Sequence, residues 1–316
     1  MPKTDFLVRH DAGEGVRLDV FLARSVPDFT RSQFQHFVDK GRVWVNGEAR
    51  KSSFKLRTGD RVEIDVDIPP PAPARAEPIP LVVIHVDEDI IVIDKPSGLI
   101  VHPGAGNRFG TLVNALLHHY PEVEGLGEPD RWGIVHRLDG DTSGVMVVAR
   151  SERALGELKR QFKEREVKKI YLALVWGPMH KDEGSLDWPI GRHVTDGHLF
   201  SVKTRRPRVA ITDYRVRRRY GRFDLVEVHP HTGRTHQIRV HLSTAGHPVA
   251  GDRRYGGQKE KPRFSRMCLH AHRLGFRHPG TGAWMEFTSP LPPEFEKIIQ
   301  NLEPTWRGSP VKLTKD

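Results

Sequence analysis

Gly133-Ile134-Val135-His136-Arg137-Leu138-Asp139-Gly140-Asp141-Thr142-Ser143-Gly144 sets polar and ionisable side chains between Ile134-Val135 and the apolar run from Val145 to Ala149. The run reads as a buried strand, and the glycines and aspartates ahead of it as the loop that enters it. Loops held by a rigid scaffold are where sites concentrate. A carboxylate here can serve as nucleophile, as general base or, with Asp141, as half of a metal pair. Equally, Asp139 and Asp141 can build an Asx-type turn and nothing more.

Outward from this loop the pattern is mixed. Upstream, Ile90-Ile91-Val92-Ile93 reads as a buried strand and Leu112 to Leu117 as a helix segment. Downstream, Ser151 starts an amphipathic helix marked by Leu155, Leu158 and Phe162, and Ile238, Leu242 and Ala245 mark another that Gly246 ends. Strands are expected over Ile170 to Trp176 and Phe223 to Val228. Strands and helices interleave irregularly, so the fold class is α+β rather than a doubly wound sheet.

Residues 69–80 hold six prolines in twelve positions, an extended spacer unsuited to a helix or inner strand. They divide an amino-terminal module, 1–68, from a larger domain, 81–304, with a polar tail at 305–316 expected to be loose. In the module, Leu18, Phe21 and Leu22 mark one helix; Phe34, Phe37 and Val38 mark a second, capped by Thr30 and closed by Gly41. Val43-Trp44-Val45, the Asn46-Gly47 turn and the alternating Val62-Glu63-Ile64-Asp65-Val66 follow as a hairpin.

The chain has 316 residues, 37% of them hydrophobic, enough for one or two domains with a sizeable core and too many apolar groups for global disorder. Its longest apolar stretches are far below the roughly 20 residues of a membrane span. Met1-Pro2-Lys3-Thr4-Asp5 leads into no apolar region of a secretory signal, and the single Cys268 excludes an intrachain disulfide framework. A reducing cytoplasm is the expected location. Fifty Lys plus Arg against 40 Asp plus Glu gives a net charge of +10, which suits a polyanionic partner. The basic residues concentrate between Arg31 and Arg61 and again between Ser201 and Tyr220, although each run alone is also what a solvated face looks like.

Two resemblances sharpen this reading. Arg17-Leu18-Asp19, Arg31-Ser32 and Lys40-Gly41-Arg42-Val43-Trp44-Val45-Asn46-Gly47 resemble the S-four-type RNA-binding domain over about residues 15–66. That resemblance implies RNA phosphate contacts at Arg31, Lys40 and Arg42. His136-Arg137-Leu138-Asp139 followed by Thr142-Ser143-Gly144 resembles the signature of the RluA family of pseudouridine synthases. Companion stretches lie in the family's order: Asp94-Lys95-Pro96-Ser97-Gly98-Leu99, Lys169-Ile170-Tyr171, Gly233 to His241, Gly251 to Gly256 and Leu269-His270-Ala271.

The second resemblance covers about residues 80–295. It implies a catalytic domain with a mixed, mainly antiparallel sheet flanked by helices, and isomerisation of uridine to pseudouridine without a cofactor or metal. It further implies Asp139 as the reacting carboxylate, Arg239 as its cationic partner, Tyr171 stacked on the uracil and Arg137 entering the RNA stack where the base is flipped out. The expected substrate is large-subunit ribosomal RNA or its precursor particle, bound by a monomer, with transfer RNA as the alternative. Gly140 departs from the Lys or Arg of many relatives. Two rival classes remain at the level of sequence. One is a metal enzyme built on His229, His231, His236 and His241; the other is a non-catalytic RNA-binding assembly factor that uses only the basic segments.

Overall fold

The computed structural model describes residues 4–8, 13–26, 29–66, 74–104, 107–194, 196, 199–256 and 264–302. The expectations for Pro69-Pro70-Pro71-Ala72-Pro73 and for the tail at 305–316 fall outside these residues. By their contacts the residues separate into two compact units. One runs to Arg75 and includes His102–Thr111; the other comprises Ala76–Val101 and the chain from Leu112 onward.

In the first unit, β1 (Thr4–Leu7), α1 (Leu18–Ser25), α2 (Arg31–Asp39), β2 (Val43–Val45), β3 (Glu48–Ala49) and β4 (Arg61–Ile64) follow in sequence. Thr30 caps α2 through a reciprocal pair with Gln33, and Asn46 and Gly47 take the positive φ angles, 53° and 80°, of a two-residue hairpin. The sheet order is β1-β4-β2-β3. Strand β1 adds to the two helices and hairpin expected from sequence; four residues with Leu7 65% exposed give no legible alternation. Asp19 is fully buried and accepts from Arg17, Arg31 Nε (3.0 Å) and Gln35 (2.7 Å). Burial alone would raise its pKa, but these hydrogen bonds hold it well below the usual carboxylate range. Arg31 therefore braces the two helices against each other, while Lys40 and Arg42 are exposed.

The second unit contains β5 (Val82–Val86), β6 (Ile90–Lys95), α3 (Leu112–His119), β7 (Ser143–Ala149), α4 (Glu152–Glu164), β8 (Lys168–Trp176) and β9 (Glu183–Leu186). There follow β10 (Gly191–Arg192), β11 (Phe200–Ser201), β12 (Thr212–Tyr220), β13 (Phe223–Pro230), α5 (Gln237–Thr244), β14 (Leu269–Arg277), β15 (Trp284–Thr288) and α6 (Pro293–Gln300). Nine strands form one sheet in the order β5-β6-β7-β14-β8-β13-β12-β9, with β15 also on β14. All pairs are antiparallel except β7 with β14. Period-two alternation along β8 sorts its two faces: Ala173 and Val175 pack with Ile238 and Leu242 of α5, whereas Leu172, Leu174 and Trp176 pack with Phe295 of α6. Lys169 and Tyr171 share the α5 face.

Strands β12, β14 and β15 carry no clear periodic signal, whereas α6 carries a short stripe, Phe295, Ile298 and Ile299, confined to its eight residues. Three arginines of β12 pair with acids: Arg215 with the exposed Glu183, Arg217 with the largely buried Glu227, and Arg219 with the exposed Asp182 and the buried Asp224. Among the described residues, three of the eight basic residues between Ser201 and Tyr220 are thus paired with acids, all three on β12. Gly144 sits where β7 meets β14 in parallel. Its φ is +120°, and a Cβ there would stand 2.2 Å from the Ala271 carbonyl oxygen, so only glycine allows the two strands to approach at this point.

Candidate active site

The signature loop enters β7 through a tight turn, Thr142 N–H donating to Asp139 C=O at 3.0 Å. The stretch from Lys95 to Gly98 holds that turn from behind. Gly98 N–H donates to Gly140 C=O at 2.8 Å, and Ser97 Oγ donates to Asp141 C=O at 2.7 Å. The fully buried Lys95 ammonium donates to Pro96, Leu99 and Gly140 carbonyls at 2.8–3.0 Å. Burial pushes Lys95 down to about 7, opposed by the charges of Asp139 and Asp141. Three carbonyl acceptors engage all three hydrogens of an ammonium, so the geometry is that of the charged form.

The turn delivers Asp139 to the wall of a cavity of about 530 Å³, within the range of ligand sites. Arg239 arrives from the first turn of α5. Its Nη1 donates to Asp139 Oδ2 at 2.9 Å, while Nε and Nη2 form a fork on Asp252 at 2.7 and 2.9 Å. Arg239 is 4% exposed and the Asp252 side chain is sealed. Asp252 Oδ1 also accepts the backbone N–H groups of Arg254 and Tyr255. Burial alone would raise Asp252, but the Arg239 guanidinium holds it below the usual carboxylate range. Asp139 thus lies against a fixed cation on one oxygen. Its Oδ1 takes no hydrogen bond from the described residues; His236 Nε2 stands 3.9 Å away.

Tyr171 lines the same cavity from β8, and burial, reinforced by the negative charge of Asp139, raises its pKa and keeps the phenol protonated. His136 stacks on Phe162 with ring centroids 4.4 Å apart, and its Nε2 accepts from Val147 N–H at 3.2 Å. Burial, then the charge of Lys169, pushes His136 down to about 3. Arg137 is exposed at the cavity edge. Among the described residues lining the cavity, Asp139 is the only acid, against Arg137, Lys163, Arg165, Lys169, Arg234 and Arg239. Arg160 of α4 instead takes Glu157 and Glu164 of the same helix and Glu166 just beyond its end. Their withdrawal leaves the cavity wall beside α4 positive.

The catalytic trio expected from sequence, with Arg137, therefore converges on one cavity, while Arg31, Lys40 and Arg42 lie in the other unit. The four histidines weighed as metal ligands occupy separate settings. His229 meets Glu227, His231 meets Asp213, His236 meets Tyr255, and His241 lies between Thr212 and the Trp188 carbonyl. Among the described residues no group of three or more His, Cys, Asp or Glu is placed to hold a metal ion. Asp252, Tyr255 and Lys95 carry no site role in the sequence reading, and His236 enters it only as a candidate metal ligand. The available signal was a lone acid beside two arginines in a glycine-bounded stretch; nothing local points it at Arg239. Gly251, at φ +78° with the Arg266 carbonyl 2.0 Å from any added Cβ, is what turns Asp252 inward.

Residues 89–244 match the RNA pseudouridylate synthase family and residues 16–62 the S4 domain. An uncharacterized RNA pseudouridine synthase of Aquifex aeolicus is 48% identical over 301 residues, covering 92% of this chain and 95% of that one. The ribosomal large subunit pseudouridine synthase D of Haemophilus influenzae is 40% identical over 302 residues, covering 92% of each. Among solved structures, human RNA pseudouridylate synthase domain containing 1 superposes with a TM-score of 0.58 at 30% identity, covering 71% of this chain and 89% of that one. The chain belongs to the RNA pseudouridine synthases, and carries an amino-terminal S4 RNA-binding domain. No helix of the described residues is long and apolar enough to cross a membrane.

Proposed function

We propose that this pseudouridine synthase acts on uridines of large-subunit ribosomal RNA, as a monomer in the cytoplasm, with Asp139 as the reacting group. The reaction breaks N1–C1′, turns the uracil, joins C5 to C1′, releases the C5 proton to solvent and leaves a proton on N1 in its place. Atoms and electrons balance within the substrate, so one ionised carboxylate suffices, whether it attacks C1′ or takes a proton at C2′. The observation that carries this reading is the Asp139–Arg239–Asp252 arrangement: Arg239 pairs with one carboxylate oxygen and leaves Oδ1 facing the cavity. A uridine must leave its stack to reach that oxygen, at a cost of a few kcal/mol, and Arg137 at the rim is suited to fill the gap. Tyr171 offers the extruded base an aromatic face. Lys40 and Arg42 supply phosphate contacts from the S4 domain, with the outer nitrogens of Arg31.

The test is tritium release from C5-labelled uridine in large-subunit ribosomal RNA, run beside labelled transfer RNA. Release from ribosomal RNA alone is the expected result. Release from transfer RNA alone overturns the substrate assignment and keeps the chemistry.

Lys169 gives a pH signature for RNA binding. Burial, then the nearby charge of Arg165, pushes its ammonium down to about 8. The depressed value means that the cation, the form that attracts phosphate, is present below pH 8 and lost above it. RNA affinity measured by anisotropy at constant ionic strength should therefore fall as pH rises from 7 to 9. Lys169→Gln should bind more weakly at pH 7 and lose most of that pH dependence; an unchanged profile would place the titration elsewhere.

A further inference from the structure

His236 is the residue beside Asp139 for which the mechanism above has no task. It caps the start of α5 at φ 56° and ψ 20°, a left-handed conformation that costs an L-residue roughly 1–2 kcal/mol. Backbone strain of this kind concentrates where a side chain must be aimed. The aim is set by a chain of hydrogen bonds. Phe200 N–H donates to Tyr255 Oη at 3.0 Å, and Tyr255 Oη lies 2.8 Å from His236 Nδ1. The arrangement that uses every hydrogen has the tyrosine hydroxyl donating to Nδ1, which leaves the imidazole hydrogen on Nε2. The Tyr255 ring is itself held by Arg239, whose guanidinium carbon is 5.0 Å from the ring centroid. Burial lowers the His236 pKa, favouring the neutral ring.

Nε2–H thus faces the one oxygen of Asp139 that Arg239 does not hold, across 3.9 Å. That gap is too long for a hydrogen bond between the two. An oxygen placed about 2.8 Å from each would subtend an angle of roughly 90° and join them both. Such an oxygen has to donate to the carboxylate and accept from the imidazole. A hydroxyl meets both demands, and on a ribose the 2′-hydroxyl is the one next to C1′.

We infer that His236 donates from Nε2 to the 2′-hydroxyl of the target nucleotide while Asp139 Oδ1 accepts from it, so that the pair reads ribose and sets C1′ beside the carboxylate. This rests on the reading of Asp139 as the reacting group. The 2′-hydroxyl distinguishes RNA from DNA, which makes His236 a specificity-determining residue as well as an orienting one.

The experiment compares turnover of an RNA substrate carrying uridine at the target position with the same strand carrying 2′-deoxyuridine there, for the native enzyme and His236→Asn. Asparagine tolerates the left-handed backbone but is too short to reach the gap. On the uridine strand His236→Asn should lose about 10- to 100-fold in kcat/KM, the range for leaving one buried polar partner unmatched. On the 2′-deoxyuridine strand it should lose no more than about 3-fold, because the partner is already missing. His236→Gln, which can present an N–H at similar reach, should recover part of the uridine rate. Tyr255→Phe, which frees Nδ1 but keeps the ring against Arg239, should show a smaller loss again confined to the uridine strand. Equal losses on both strands for the variants would overturn the contact. No turnover of the uridine strand by the native enzyme would instead remove the underlying reading.

Discussion

Asp139→Asn is expected to abolish tritium release, lowering turnover by about 10⁴-fold or more, while RNA affinity stays within a few-fold of native. The amide is nearly isosteric with the carboxylate. Its oxygen can still accept from Arg239 Nη1, and Arg239 keeps its two bonds to Asp252, so the surrounding structure has no cause to move. What disappears is the charge on Oδ1, which either route at the sugar requires. A 10⁴-fold loss corresponds to about 5.4 kcal/mol of transition-state stabilisation, far beyond the effect of removing one neutral hydrogen bond. Residual turnover within tenfold of native would remove Asp139 from the reacting role and point to another cavity residue. Loss of RNA binding together with turnover would make the carboxylate an organiser of the cavity.

How far the sequence revealed this site depended on whether a feature was local. Helix α4 was legible from Ser151 and the spacing of Leu155, Leu158 and Phe162, and its cap is made by Ser151 Oγ accepting from Ala154 N–H. Strand β12 was not legible: its run of arginines hides a strand whose partner acids lie elsewhere in the chain, on β9, β13 and the Asp182 loop. The same divide runs through the site. Asp139 announced itself because the turn and the strand that present it are contiguous. Asp252 is equally buried in the chemistry, but its importance is a meeting with Arg239 that no local pattern encodes. His236 was visible only as one histidine among four, and its meaning lies in a positive φ and in Tyr255, nineteen positions away. The motif around Lys95 could be recognised by resemblance, yet its physical task, clamping the Gly140 carbonyl from beneath, required the fold.

Asp252→Ala is expected to be the most destabilising substitution in the site, by about 3–5 kcal/mol, because it removes one partner from a buried ion pair. Asp252 collects four hydrogen bonds: two from Arg239 and one each from the backbones of Arg254 and Tyr255. Their loss strands a guanidinium that is 4% exposed and leaves Asp139 as its only carboxylate. The midpoint of urea unfolding should fall while its denaturant slope stays constant. Turnover should fall as well, since Arg239 is then free to swing toward Asp139 and occupy Oδ1. The pairing can be separated from mere packing by removing both ends. Arg239→Leu with Asp252→Ala should be less destabilised than the two single losses added together, because no uncompensated charge remains, yet it should stay inactive. Acid gives an independent view of the same bond. The folded pKa of Asp252 lies below its unfolded value, so its contribution is complete above pH 4 and is lost as pH falls through the folded value. Asp252→Asn should accordingly flatten the acid limb of the stability curve. Additive single and double losses with an unchanged acid limb would mean that Asp252 only fills space, and that Arg239 finds its position without it.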